Sequence, residues 1–429
     1  MLLSGPEAED PAARLAQPDC RADSADPAFA WLQANAPVLA VAIGNDAALA
    51  ALRADADRSF AALPDLSHAA REEFLRAWYR ACRHGRNTTA LRLLNADIDA
   101  AQAARAYSDL AEAALADLTQ ACVADFTAMH GEVCGGRHAL VAIGRLGARA
   151  LTMQSDLDLL LLYDYDDRAA VSDGAQPLPG AQYYTRLAQR LIAMLSCNFG
   201  DGPLFAVDFR LRPWGSKGPI ATRVASLREY FAAEAWSFEA MALTRARVIA
   251  ASPRFGVEIE TALRAAIMAA RLRLNVRADA LEMRRMVQRE KASRRIWDIK
   301  CVAGGLMDID FVVHTLAIEH AEAFSEAPMH DMTSVTRTLA RIGVLSRVDA
   351  VTLAWALDLY QTAIQHLRVA LPASCDARTM PAAFAAILAR ASGSADIRGL
   401  ESRLREAQRA VRQIVERTLG KRACASRAA

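Results

Sequence analysis

The chain has 429 residues, 53% of them hydrophobic and 23% charged. At roughly 100–200 residues per domain this length predicts two or three domains, and the composition excludes a disordered or fibrous chain. The formal charge is +2, from 51 basic and 49 acidic residues, so net charge makes no case for nucleic acid as a partner.

Only four of the 51 basic residues are lysines: Lys217, Lys291, Lys300 and Lys421. Arginine bias beside abundant alanine fits GC-rich coding and carries no functional signal by itself. The eight cysteines (Cys20, Cys82, Cys122, Cys134, Cys197, Cys301, Cys375 and Cys424) are scattered, and Cys134 with His138 is the nearest approach to a ligand spacing. In a long chain with no signal-peptide core this pattern reads as reduced thiols. No uncharged apolar stretch of about 18 residues exists to span a bilayer, so the expected location is cytoplasmic, with no membrane partner.

In chain order, residues 1–27 are rich in Pro, Asp and Ala and read as a disordered or trimmed lead-in. Residues 28–132 hold apolar positions at spacings of three and four, which predicts a helical region. The pattern then changes. Ala139–Ile143 is a short apolar run ending at Gly144, and Leu157–Tyr163 is a second, flanked by acids. A helix is expected over Tyr183–Cys197, after the loop SDGAQPLPG. Leu204–Leu211 alternates, with Phe205, Val207, Phe209 and Leu211 on one side and Ala206, Asp208 and Arg210 on the other. These elements predict a small α/β unit within 133–254. From Ser226 onward the rhythm is helical to the end, and residues 255–429 read as a helical bundle that positions the substrate.

Chemistry concentrates in GRLGARALTMQSDLDLLLLYD, residues 144–164. Period 2 puts Asp156 and Asp158 on one face of a strand. Carboxylates that close repel unless a cation lies between them, and hard oxygen ligands suit Mg²⁺ with phosphate and water. Ser155 and the turn before it are placed to hold a phosphate, and Gly144 and Gly147 permit close approach. Asp208 adds a third acid from a neighbouring strand. An isolated D-x-D is more often a solvated strand end. Three acids on adjacent strands, beside a glycine-bearing turn, instead fit a two-metal phosphoryl or nucleotidyl transfer site.

Four blocks then occur in order across residues 138–320: G-R-L-G-A-R with S-D-L-D-L-L-L-L-Y-D, V-D-F-R-L-R-P-W-G-S-K-G-P, A-W-S-F-E-A-M-A-L-T-R-A-R-V, and W-D-I-K-C-V-A-G-G-L-M-D-I-D-F. In these the chain resembles the glutamine synthetase adenylyltransferases. The resemblance implies an α+β, mainly helical fold. A polymerase-β-like nucleotidyltransferase domain with a small mixed sheet would be flanked by helical regions on both sides.

The family pairs two such halves, one removing AMP and one attaching it, and this chain carries one. G-G-L-M-D-I-D-F and S-K-G-P are closer to the adenylylating C-terminal half. The resemblance therefore implies Mg²⁺-dependent transfer of AMP from ATP to a tyrosine of glutamine synthetase, with a PII signal protein as a further partner. It implies metal and catalytic roles for Asp156, Asp158 and Asp208, and nucleotide-phosphate contacts from Gly144 and Ser155. Gln154, Trp214, Asp310 and His314 depart from the family pattern. Uridylylation of a PII-type regulator and a non-catalytic half that docks a partner are the alternatives; three converging acids argue against the second.

Other residues carry two readings each. Arg210 either neutralises phosphate charge or pairs with an acid, and Arg212 favours the latter. Lys217, between Gly215 and Gly218, is either a phosphate contact or a solvated loop residue. Lys300 with Gly304 and Gly305 offers an anion site or close helix packing. Asp308 and Asp310 read as helix-start residues, His314 and His320 as unfit for a shared metal, and Trp236 and Phe238 as core.

Overall fold

The computed structural model describes residues 26–54, 71–199, 203–290, 295–324, 329–372 and 379–420. The expected lead-in lies outside the described residues up to position 25, as do Cys20, Cys375 and Cys424.

Helices open the chain: α1 (Pro27–Asn35), α2 (Pro37–Ile43), α3 (Asp46–Ala54), α4 (Arg71–Leu94) and α5 (Ala100–His130). Asp26 starts α1 by accepting from the Ala28 amide at 2.7 Å. Asp99 caps α5 through the Gln102 amide at 2.7 Å, and the Gln102 side chain returns the bond to Asp99 at 2.9 Å. Such reciprocal capping stabilises a helix by about 1 kcal/mol.

The central unit follows as β1 (Arg137–Ala142), α6 (Gly144–Gly147), β2 (Leu157–Asp164), α7 (Gly180–Leu195), β3 (Val207–Asp208), β4 (Ala221–Arg223), α8 (Val224–Ala233), α9 (Ser237–Leu243) and β5 (Arg247–Ala251). The chain then runs through α10 (Pro253–Arg273), α11 (Val276–Glu290), α12 (Leu306–Glu319), α13 (Met332–Arg341), α14 (Arg347–Ala370), α15 (Ala382–Ala391) and α16 (Ile397–Leu419).

The sheet is mixed. β1 pairs antiparallel with β2 on one edge and with β5 on the other. The second edge of β2 takes two short parallel partners, β3 beside Leu157–Asp158 and β4 beside Leu161–Tyr163. Leu140, Ala142, Leu157, Leu159 and Leu161 enter one core, shared with residues of α1–α5, α7, α12 and α14. Ala139, Val141, Ile143, Leu160 and Leu162 enter a second, built with α8, α9 and α10. Both faces are covered, which is why β2 reads as a continuous apolar run instead of an alternating one.

Two expectations change. The third strand is two residues long, not Leu204–Leu211: Phe205 and Phe209 are buried as the alternation required, but the chain outside Val207–Asp208 is irregular. The segment after Ser226 is not helical throughout. Its helix breaks at Ala235–Trp236 between α8 and α9, and Arg247–Ala251 forms β5. Val248 and Ile249 are β-branched and find an open edge on β1, where pairing outweighs the local helical rhythm. Among the described residues no helix is long and apolar enough to cross a membrane.

Candidate active site

Strand periodicity places the second acid of the pair: Asp158 is on the face of β2 that carries Leu160 and Leu162. Asp156 lies exposed just before the strand, and its charge acts on Asp158. The parallel register sets Asp208 directly beside Asp158, so side chains on neighbouring strands start about 4.8 Å apart. The Leu157 amide, bonded to the Ala206 carbonyl at 2.8 Å, fixes that register.

Gly144 lies at the other side of Asp158. Its φ of +56° is left-handed, and a Cβ there would overlap Asp158 Oδ2. Gly147 meets a different group: a Cβ on it would overlap the Arg245 carbonyl. The space beside both glycines is thus taken by protein groups.

The acids differ electrostatically. Burial, then Asp208 and Asp156, push the Asp158 carboxyl up to about 6, against an opposing pull from Lys300 and Arg245. Burial also pushes Asp208 upward, but Arg210 overrides it and holds Asp208 below the usual carboxylate range. The Arg210 amide donates to Asp208 Oδ1 at 2.7 Å. Its guanidinium donates through Nε at 3.0 and 2.9 Å and through Nη2 at 2.6 Å. The Arg210 side chain is 80% exposed, and among the described residues its guanidinium bonds Asp208 alone.

Among the described residues no group of three His, Cys, Asp or Glu is gathered tightly enough to hold a metal. Asp208 is engaged with Arg210 instead. The donor chemistry nevertheless fits a hard divalent cation: three carboxylates act on one another, with Asp158 driven toward protonation by burial and by Asp208 and Asp156.

Ser155 Oγ accepts from the Thr152 amide at 2.9 Å and shares a 2.8 Å bond with Thr152 Oγ1, closing the turn before β2 on itself. Lys217 is exposed in a short 3-10 turn, Gly215–Lys217. Arg212 bonds the carbonyls of Phe209 and Gly218 and braces that loop. Trp214 has φ +59°, packs its ring at a 60° tilt 4.9 Å from that of Tyr230 and donates to Glu234 at 2.9 Å.

Gly304 carries packing: a Cβ would overlap the Gln408 carbonyl, and its amide donates to Asp308 at 2.6 Å. Asp308 is therefore the helix-start acid expected, and it also pairs with Arg284 at 2.7 Å. His320 lies apart from the buried His314 on α12. Trp236 is 68% exposed and Phe238 45% exposed, so neither belongs to the core expected for them.

Several residues around the acids make contacts that no local sequence signal announces, although Gln154, Asp310 and His314 are among the departures from the family pattern. Arg245 bonds His314 Nε2 at 2.8 Å and Asp310 at 2.8 Å. Arg145, in α6, feels the charges of Asp310, Arg368 and Arg245, and burial lowers its pKa. Burial likewise lowers Arg368, which faces Asp156. Gln154 donates to the Arg368 and Leu371 carbonyls at the end of α14, at 2.6 and 3.2 Å. Gln365 donates to the Leu151 carbonyl at 2.6 Å. Helix α14 thereby fastens the turn that delivers the acids. Arginines are so numerous in this chain that none of them stands out by residue type.

Comparison with known proteins matches the sequence of the chain to one family. The model of glutamate-ammonia ligase adenylyltransferase covers residues 32–262. A bifunctional glutamine synthetase adenylyltransferase/adenylyl-removing enzyme of Xanthobacter autotrophicus is 41% identical over 334 residues, 77% of this chain and 33% of that protein. Relatives of the same name from a Bradyrhizobium species and from Rhodopseudomonas palustris are 40% and 38% identical, over 75% and 77% of the chain. The chain aligns with 33% of the length of each of these three relatives. With more than half its length matched by the family model, the chain belongs to the glutamate-ammonia ligase adenylyltransferase family.

Proposed function

We propose that this chain transfers AMP from ATP to a tyrosine hydroxyl of glutamine synthetase. The observation that carries the reading is the side-by-side register of Asp158 and Asp208, with the Asp156 charge acting on Asp158 from just before the strand. Opposite charge stands close by on Lys300 and Arg245 near Asp158 and on Arg368 near Asp156. Acids gathered against cations in this way suit a triphosphate that arrives with Mg²⁺.

In the proposed step the phenolic oxygen bonds to the α-phosphorus of ATP. The bond from that phosphorus to the β-phosphate oxygen breaks, pyrophosphate leaves with the electron pair, and the phenolic proton passes to a carboxylate. Asp156, Asp158 and Asp208 would hold Mg²⁺, which neutralises charge on the phosphates and the attacking oxygen. Asp208 has to exchange Arg210 for this role. A triphosphate competes directly for that exposed guanidinium, so nucleotide arrival and release of Asp208 are one event. Ser155 acts through the turn it closes, and Lys217 lies exposed for phosphate contact. The G-G-L-M-D-I-D-F and S-K-G-P segments favour attachment of AMP over removal.

The test is mass measurement of glutamine synthetase after incubation with the chain, ATP and Mg²⁺. A gain of one AMP per subunit, lost in Asp156→Asn, is the expected result. Modification of a PII-type regulator with UTP, or of no partner, would overturn the proposal.

A further inference from the structure

We propose that Arg245 contacts the nucleotide phosphates during transfer, and that Asp310 and His314 are positioning residues that aim it. This inference rests on the nucleotidyl-transfer reading above. Arg245 lies just after α9, and its guanidinium is caught by two side chains one turn apart on α12. Nε donates to His314 Nε2 at 2.8 Å, and Nη2 meets Asp310 Oδ2 at 2.8 Å.

The protons around His314 are then accounted for. Its Nε2 lone pair is used by Arg245, so the ring proton sits on Nδ1 and donates to Thr244 Oγ1 at 2.7 Å. Thr244 in turn donates to the Met241 carbonyl at 2.7 Å. His314 is 1% exposed and, by burial first and Arg245 second, is kept well below its ordinary pKa. A neutral, fully bonded imidazole is a fixed acceptor, and it holds the arginine without competing with it for charge.

The backbone brings this arginine to the acids. Gly144 and Gly147 bound the four-residue α6, and the Arg245 charge is close enough to Asp158 to favour its carboxylate form. Asp158 Oδ2 lies against Gly144 and the Arg245 carbonyl against Gly147. Two of the guanidinium nitrogens are committed to α12, and Nη1 makes no hydrogen bond to any described residue. An arginine anchored at two corners with its third turned loose beside an acid cluster is preorganised for an anion that enters with a cation.

A brace between α9 and α12 would use the same bonds, so the experiment has to separate the two roles. Transfer to glutamine synthetase and MgATP affinity by calorimetry are measured for Arg245→Ala, Asp310→Asn, His314→Leu and His314→Gln, each with its thermal midpoint. Arg245→Ala is expected to lower kcat/KM by two powers of ten or more, with partial recovery on adding millimolar guanidinium. His314→Gln offers an acceptor to Arg245 and a donor to Thr244, so it should retain at least tenfold more activity than His314→Leu.

Loss of thermal midpoint in all four variants with unchanged MgATP affinity, and no guanidinium rescue, would overturn the proposal and leave Arg245 a brace. If the wild-type chain binds MgATP but modifies no protein, the transfer reading fails; the affinity loss in Arg245→Ala still decides the phosphate contact. If the wild-type chain binds no MgATP, both are overturned.

Discussion

The carboxylate of Asp158 fills the space in which a side chain on Gly144 would stand, and Gly144 holds a left-handed φ of +56°. Gly144→Ala must therefore strain the backbone and displace the carboxylate together. A left-handed alanine costs about 1–3 kcal/mol. The displacement should lower AMP transfer by at least two powers of ten, because the acid moves relative to its neighbours. Ala148→Gly, at an ordinary helical φ of −76° on the end of the same turn, should leave transfer within a few-fold. Denaturant unfolding and transfer rates measured on both variants check this; equal loss in the two would separate the effect from Asp158.

Asp158 is the acid whose chemistry opposes its own fold. Its carboxyl is raised from the ordinary 3.8 to about 6 by burial and by Asp208 and Asp156. A raised carboxyl contributes stability that is full below its ordinary value and is lost as pH rises through 6. Asp158→Asn cannot ionise. It should gain stability over the wild-type chain as pH rises from 5 to 7 without divalent cations, while transfer disappears. Adding millimolar Mg²⁺ should raise the thermal midpoint of the wild-type chain more than that of the variant. Thermal melts across that pH range with and without Mg²⁺ read both effects. A variant less stable at pH 7 than at pH 5, relative to wild type, would contradict the assignment.

His314 produces the opposite pH dependence. Its folded-state pKa is depressed, so the stability it supports is present above the unfolded value of 6.5 and falls as pH drops below it. The groups facing it are Arg245, which a charged imidazole would repel, and the Thr244 hydroxyl; Asp310, one turn away, is committed to Arg245. One proton bound only in the unfolded state corresponds to a slope of about 1.4 kcal/mol per pH unit. His314→Gln should remove that increment from the stability profile between pH 6.5 and 5. Urea titrations at half-unit steps provide the comparison, and an unchanged slope would place the acid sensitivity on other histidines.

What the chain shows by inspection, and what it hides, follows the range of the interactions. The positions of Asp158 and Asp208 on neighbouring strands are legible because period-2 patterning acts over a few residues and an apolar run marks β2, whereas Asp156 lies just before that strand. Strand β5 is hidden, since Arg247–Ala251 follows a strongly helical stretch and becomes a strand only by meeting β1, more than a hundred residues earlier. Arg245 is hidden twice: it is one arginine among many, and its partner His314 is 69 residues away. Gln154 reads as a departure in a phosphate turn, yet it acts on the end of α14, more than two hundred residues on. Trp236 was expected in the core on residue type alone, but it begins a helix at a break, where its ring points out.

Helix α10 belongs structurally to the sheet. Phe255, Ile259, Leu263 and Ile267 are buried in the core that takes Val141, Ile143, Leu160 and Leu162. Burial of each such side chain stabilises by about 2 kcal/mol, so the four together, about 8 kcal/mol, match the 5–15 kcal/mol by which domains are stable. A chain ending at Arg254 should therefore fail to fold cooperatively, while one ending after Arg273 should keep this face of the sheet covered. Near-ultraviolet circular dichroism and proteolysis of the two truncations distinguish them. A cooperative melt from the shorter chain would show that the sheet unit closes without α10.

Asp208 and Arg210 make the last prediction. Arg210 holds Asp208 by four contacts between 2.6 and 3.0 Å, one of them from its own amide. If a triphosphate draws the guanidinium away, the two residues act at different stages: Arg210 on nucleotide affinity, Asp208 on the chemical step. Arg210→Met should weaken MgATP binding by about tenfold, or ~1.4 kcal/mol, and lower the rate at saturating ATP only modestly. Asp208→Asn should lower that rate by about three powers of ten while MgATP affinity changes by less than tenfold, because the carboxylate serves the attacking oxygen and not the triphosphate. The double variant tests the coupling. With Arg210 already gone, Asp208→Asn should still remove the rate, since the acid's task does not depend on its resting partner. If Asp208→Asn instead reduces affinity and rate in parallel, and Arg210→Met makes that loss no worse, the pair is a structural clamp on the loop after β3 and Asp208 leaves the chemical step.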